Sequence, residues 1–201
     1  MEEPIFLHSS SVLKKEMPEW VVYQEVYETN KMYMRGVTAI EPEWLPMYAP
    51  NMCNLSEPLS DPPPRYDPVT GKVHCRVNGT FGRAALTLPT MEIPFTQTLD
   101  SYKWFARFLL NGEVFPKLQK YTNSLLSSPT SMTKSWSKLQ PRTEILLKAL
   151  VSKEANNRDQ LIKIWEENSY YLLDAYKSWL PDSAHESLTL IWPPIWYVNV
   201  T

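Results

Sequence analysis

Residues 18–50 read PEWVVYQEVYETNKMYMRGVTAIEPEWLPMYAP, and this stretch decides the fold. Val21 to Thr29 is rich in β-branched and aromatic residues, and Tyr33 to Ile40 resumes that character after a polar break at Asn30-Lys31. The pattern predicts two antiparallel strands joined by a tight turn. Neither strand is one-sided: Val21, Tyr23, Glu25 and Tyr27 share one face, while Val22, Gln24 and Val26 share the other. Such mixing suits a small β-barrel with a filled interior and a partly used outer face. Glu41-Pro42-Glu43-Trp44 then predicts a short helix, because proline fits the first helical position and acidic groups favour the positive end of the helix dipole. Pro46 and Pro50 keep that helix short.

Working outward, Ile5 to His8 reads as a further strand, and Ser9 to Ser11 as its exit turn before the basic pair Lys14-Lys15. Residues 55–68, LSEPLSDPPPRYDP, form a proline-rich connector in which missing backbone donors favour extended conformations. Lys72 to Leu86 carries a hairpin signal centred on Asn78-Gly79, both of which tolerate positive φ. With Val77 opposite Thr80, that turn would place Lys72, His74, Arg76, Phe81 and Arg83 on one face. Cations that follow phosphates and a ring that stacks on bases suit single-stranded nucleic acid. Leu86 to Phe95 predicts another strand. From Asp100 the spacing becomes helical, with Trp104, Phe105, Phe108 and Leu109 on one stripe and Gly112 as the stop. Further helices are predicted from Phe115, over Ser131–Leu139, Pro141–Ser152, Asn157–Glu167 and Tyr170–Leu180. Trp136, between Lys134 and Lys138, reads as core. The aromatic terminus around Trp192, Trp196 and Tyr197 is expected either to fold back or to dock a protein partner.

The blocks FLHSSSVL (Phe6–Leu13), PEWVVYQEVYET, YMRGVTAIEPEWL and AP resemble the oligonucleotide-binding (OB) region near the C-terminus of DEAH-box RNA helicases. The segments YKWFARFLL, LLSSP and LQPRTE resemble more particularly the C-terminal extension of the nucleolar branch that works on the small-subunit processome. The resemblance implies an α+β protein: an OB-fold-like antiparallel barrel over residues 1–97, followed by a helical extension over residues 98–201. In that family a further strand precedes Phe6. It also implies a parent that hydrolyses ATP with Mg and remodels a box C/D small nucleolar RNA on the pre-ribosomal RNA in the nucleolus.

Glycine-rich phosphate-loop and Asp-Glu-Ala-His motifs are both missing from these residues, so ATP and Mg are assigned to the parent's core and the chain is expected to be non-catalytic. The three histidines, His8, His74 and His185, match no nucleophile or metal pattern. Cys53 and Cys75 lack the spacing of a metal site or disulfide scaffold. A net charge of −2 excludes binding of polyanions through a global positive field, so RNA contacts must come from local clusters. Apolar runs fall short of the ~20 residues of a membrane span. The RNA-binding candidates are therefore Lys14, Lys15, the turn Thr29-Asn30-Lys31, Tyr33 and Arg35, together with the hairpin face above. The expected partners are single-stranded RNA, the helicase core, and processome or ribosomal proteins.

Overall fold

A computed structural model of the chain describes residues 4–135 and 140–195. The chain divides into two compact units: Met1–Glu57 with Val77–Met91, and Pro58–Arg76 with Glu92–Thr201.

In the first unit the predicted long hairpin forms, but as two ladders. Strands β2 (Val21–Val22) and β5 (Thr38–Ala39) pair antiparallel, as do β3 (Glu25–Glu28) and β4 (Met32–Arg35). The register is continuous across the break: Val22 faces Thr38, Glu25 faces Arg35, and Gln24 N–H still donates to Arg35 C=O at 3.0 Å. The break falls at Gly36, whose φ is +64° and where a Cβ would lie 2.5 Å from Gln24 Oε1. That left-handed conformation is one glycine adopts without steric cost, and the exposed Gln24 side chain lies in the space that a Cβ would use. Strand β1 (Ile5–Leu7) pairs with β4 in parallel, giving the sheet order β1-β4-β3. The strands of the described residues thus form three separate sheets rather than the closed antiparallel barrel expected.

Helices α1 (Leu13–Glu16) and α2 (Trp44–Tyr48) complete this part, and a 3-10 turn at Pro50–Met52 leads into β6 (Cys53–Leu55). Helix α2 starts just after the acidic Glu-Pro-Glu run and ends before Pro50. Within it only Leu45 is buried; Trp44, Met47 and Tyr48 are exposed.

The Asn78-Gly79 turn does not exist. Strand β8 (Lys72–Phe81) runs straight through it, after the short β7 (Arg65–Asp67), and the reversal comes at Gly82–Ala85, ahead of β9 (Leu86–Pro94). Gly82 and Ala85 take the positive φ values, +70° and +52°. Gly79 is required for another reason: β6 pairs with this end of β8, and a Cβ on Gly79 would meet Leu55 Cδ2 at 2.7 Å. Here the glycine admits a neighbouring strand instead of making a turn.

The second unit holds the main hydrophobic core. Helix α3 (Leu99–Leu110) buries Phe105, Phe108 and Leu109, as its spacing predicts, and half-buries Trp104. Gly112 stops it at φ +71°, where a Cβ would strike the Gln119 backbone at 2.6 Å. The segment from Phe115 is a 3-10 helix over Pro116–Ser124, and Pro129–Thr133 is another, where the sequence predicts longer α-helices. Helix α4 (Pro141–Ser152) opens on its proline, and α5 (Arg158–Glu167) on Asn157, whose side chain accepts from Gln160 N–H. Helices α6 (Leu173–Lys177) and α7 (His185–Ile191) follow. The core is lined by fully buried Phe105, Leu118, Met132, Leu146, Leu161, Tyr176, Trp179 and Leu188. Trp136 and Lys138 lie outside the described residues.

Candidate nucleic-acid interface

Strand alternation sorts the β1-β4-β3 sheet into two faces. Ile5, Leu7, Val26, Met32 and Met34 share one. The other carries Phe6 opposite Tyr33 on β4, and Tyr33 opposite Tyr27 on β3. The rings form a stripe across three strands: Phe6 and Tyr33 have centroids 6.4 Å apart, and Tyr27 and Tyr33 5.9 Å apart at 29°. His8 meets Tyr33 edge-on at 5.3 Å. Phe6 is exposed, and both tyrosines are half-buried, so the stripe is open to solvent.

Cations lie on the same face as the stripe, Lys31 at its Phe6 end and Arg35 two residues along β4 from Tyr33. Lys31 Nζ lies 4.9 Å from the Phe6 ring centroid, and Arg35 Nη1 is 3.2 Å from Glu25 Oε1. The pair is exposed, 73% for Arg35 and 59% for Glu25, so it contributes at most about 1 kcal/mol and leaves the guanidinium available. Thr29 and Asn30 form the turn beside Lys31, with Thr29 N–H donating to Lys31 C=O at 3.0 Å. Lys14 and Lys15 are exposed on α1 of the same unit. A groove of about 530 Å³ lies against His8, Ser10, Ser11, Tyr27 and Arg35. Stacking rings flanked by cations are what an unpaired polynucleotide requires.

Comparison with known proteins places the chain in a family. The family description "Oligonucleotide/oligosaccharide-binding (OB)-fold" matches residues 1–52, and "DEAH helicase DHX37 C-terminal domain" matches residues 117–196. The human protein named probable ATP-dependent RNA helicase DHX37 is 48% identical over 194 residues, 96% of this chain and 17% of that protein. The chain belongs to the C-terminal region of DHX37-like DEAH-box RNA helicases. The kurz helicase of Drosophila melanogaster is 44% identical over 97% of the chain, and DEAH13 of Arabidopsis thaliana 32% over 96%. The chain spans about a sixth of the length of these relatives, 16–17%. The two family descriptions cover the OB-fold and C-terminal domain of such helicases, not their catalytic core.

The second cluster of candidates in this helicase region is arranged differently from expectation. Lys72, His74 and Arg76 do share the outer face of β8, opposite buried Val73, Cys75 and Val77. Phe81 falls on the other alternation of the strand, and Arg83 in the reversal, so the expected five-residue basic face does not form. Acidic groups also meet His74 and Arg76 on that face. Arg65 is ion-paired with Glu92; Arg76 Nε lies 4.0 Å from Glu92, and His74 lies 3.9 Å from both Asp67 and Glu92. Burial lowers the His74 pKa against the pull of Asp67 and Glu92. Hydrogen bonds from the Thr70 hydroxyl and N–H hold the Asp67 carboxyl below the ordinary range. Burial pushes the Cys75 thiol up to about 11, so it is a packed, unreactive group.

The depressed His74 value has a measurable consequence. Below pH ~6.5 the unfolded chain takes up a proton that folded His74 resists, so its contribution to stability falls as pH drops through that window. Urea unfolding at pH 7.5 and 5.5 is expected to show lower stability at pH 5.5, and His74→Gln is expected to flatten the difference.

Trp192 packs within its own unit. Its ring meets Trp165 at 5.5 Å and 81°, and Tyr176 at 5.7 Å, while Nε1 donates to Tyr171 C=O at 3.2 Å. Trp196 and Tyr197 lie outside the described residues. Sequence reasoning passed over Phe6, His8 and Tyr27 as site residues; the signal available was the alternation of Phe6 with His8, which places both on one strand face. Among the described residues no group of three or more His, Cys, Asp or Glu side chains could hold a metal ion, and no helix is long and apolar enough to cross a membrane.

Proposed function

We propose that this chain is the RNA-binding and partner-docking module of an ATP-dependent DEAH-box helicase, and that the β1-β4-β3 face grips single-stranded RNA. The observation that carries the proposal is the open Phe6-Tyr33-Tyr27 stripe, with Lys31 over Phe6 and Arg35 on the same face of β4. Rings take bases without sequence choice, and the cations follow phosphates and set the salt dependence. In this reading Lys14, Lys15, Thr29 and Asn30 extend the same surface, and the Lys72-His74-Arg76 face, where Asp67 and Glu92 lie against His74 and Arg76, plays a smaller part. ATP and Mg are bound by the helicase core, outside these residues. The sequence resemblance supports a setting in the nucleolus, on small-subunit precursor RNA and its small nucleolar RNA.

Replacing Lys31 and Arg35 together by alanine is expected to weaken oligoribonucleotide binding and to reduce the slope of log K against log salt. Two phosphate contacts on a single strand correspond to a slope change of about 1.4. Unchanged binding at low salt removes this surface from the reading.

A second reading is docking onto the helicase core, which is favoured by the exposed Trp44, Met47, Tyr48 and Met52 around α2 and by the five-sixths of its relatives' length that lies outside this chain. Both functions are compatible, because docking here uses residues that the RNA face does not.

A further inference from the structure

We propose that His8 binds a phosphodiester of the RNA strand, as a neutral hydrogen-bond donor held in one tautomer, within the groove that also presents Ser11 and Arg35. The proposal rests on the reading of the β1-β4-β3 face as an RNA surface and assigns the group that this groove receives. Ser10 N–H donates to His8 Nδ1 at 3.2 Å, and Ser10 Oγ lies 2.6 Å from the same nitrogen. A backbone N–H can only donate, so Nδ1 is an acceptor and the neutral ring carries its proton on Nε2. The edge contact with Tyr33 at 5.3 Å and the approach to Tyr27 at 6.5 Å fix the ring beside the stacking stripe.

The groove of about 530 Å³ is lined by His8, Ser11 and Arg35, with Gly36 in its wall. Two of its side chains can only donate, His8 through Nε2–H and Arg35 through the guanidinium N–H groups that Glu25 does not engage, and the hydroxyls of Ser10, Ser11 and Tyr27 can turn their protons the same way. A nucleobase edge mixes donors with acceptors, whereas phosphodiester oxygens only accept. The donor set therefore matches the backbone, and the adjacent rings are left for the bases. Glu25 opposes the anion, since its carboxylate already engages Arg35. Releasing Arg35 by Glu25→Gln is accordingly expected to strengthen binding severalfold.

The test is fluorescence anisotropy of a short oligouridylate on the full chain, with single neutral methylphosphonate linkages walked along it. His8→Phe keeps a ring but no donor; His8→Gln keeps an amide donor near the Nε2 position. Thermal unfolding of each variant accompanies the titrations. The loss of a hydrogen bond to a charged group predicts about tenfold weaker binding for His8→Phe and near wild-type binding for His8→Gln. At one linkage position the methylphosphonate should abolish the difference between His8→Phe and wild type. Wild-type affinity in a folded His8→Phe variant, alongside impaired Tyr33→Ala, overturns this assignment alone. A His8→Phe defect that survives every methylphosphonate position but vanishes at an abasic nucleotide also overturns it, in favour of base contact. Absence of wild-type binding overturns the RNA reading and this one with it.

Discussion

Tyr33→Ala is expected to weaken single-stranded RNA binding by about tenfold to a hundredfold, while Tyr33→Phe stays near wild type. Tyr33 occupies the middle strand of its sheet, paired with Phe6 on one side and Tyr27 on the other. Its ring is the one that meets all three neighbours: Phe6 at 6.4 Å, Tyr27 at 5.9 Å and His8 at 5.3 Å. Removing it takes away one stacking surface and releases the rings beside it, and base-aromatic stacking contributes about 1–3 kcal/mol per base. The phenylalanine variant keeps the π-face, so it separates stacking from any hydrogen bond of the hydroxyl. Equilibrium titration of both variants against an unstructured oligoribonucleotide checks this, with circular dichroism to establish that the sheet is intact.

The second large effect concerns stability. Trp192→Ala is expected to destabilise the helical unit by about 3 kcal/mol, near the lower end of the range for a large aromatic truncated in a core, because the side chain is half-buried. Trp192 fills the space between Trp165 and Tyr176, and its indole shares the Tyr171 carbonyl with Trp165 Nε1, which donates at 2.8 Å. Truncation therefore opens a void among rings and removes a donor. A shift of the urea midpoint at unchanged slope is the expected result. An unshifted midpoint with loss of a protein partner would instead make Trp192 a docking residue.

These expectations show which features could be read before the fold was known. The hairpin of residues 21–39 was legible because its period of two and its polar turn are local signals, and the observed pairing keeps one register throughout. Its split into two ladders falls at Gly36, whose φ of +64° interrupts the pairing without changing the register. The parallel pairing of β1 with β4 joins segments well separated along the chain, so Phe6 and His8 could be read as a strand but not as neighbours of Tyr33. At Asn78-Gly79 a local turn preference gave way to packing, since Leu55 of β6 occupies the space that a side chain on Gly79 would need.

The helical half divides along the same line. Helix α4 was legible from its leading proline, and the helix expected over Asn157–Glu167 matches α5 to within a residue. Helix α7 was missed because His185–Ile191 buries only Leu188, too narrow a stripe to show periodicity. That residues 58–76 cluster with the helices was also hidden, because Tyr66 and Val73 join their core through long-range contacts.

Ultraviolet crosslinking of the full chain to single-stranded RNA, with the modified residues identified by mass spectrometry, bears most directly on the RNA-gripping role of the β1-β4-β3 face. The expected result is modification at Tyr33 and Tyr27 and along Phe6 to His8, reduced by the Lys31/Arg35 double substitution. Crosslinks confined to residues 58–76 and 92–195, with none on β1, β3 or β4, would contradict it.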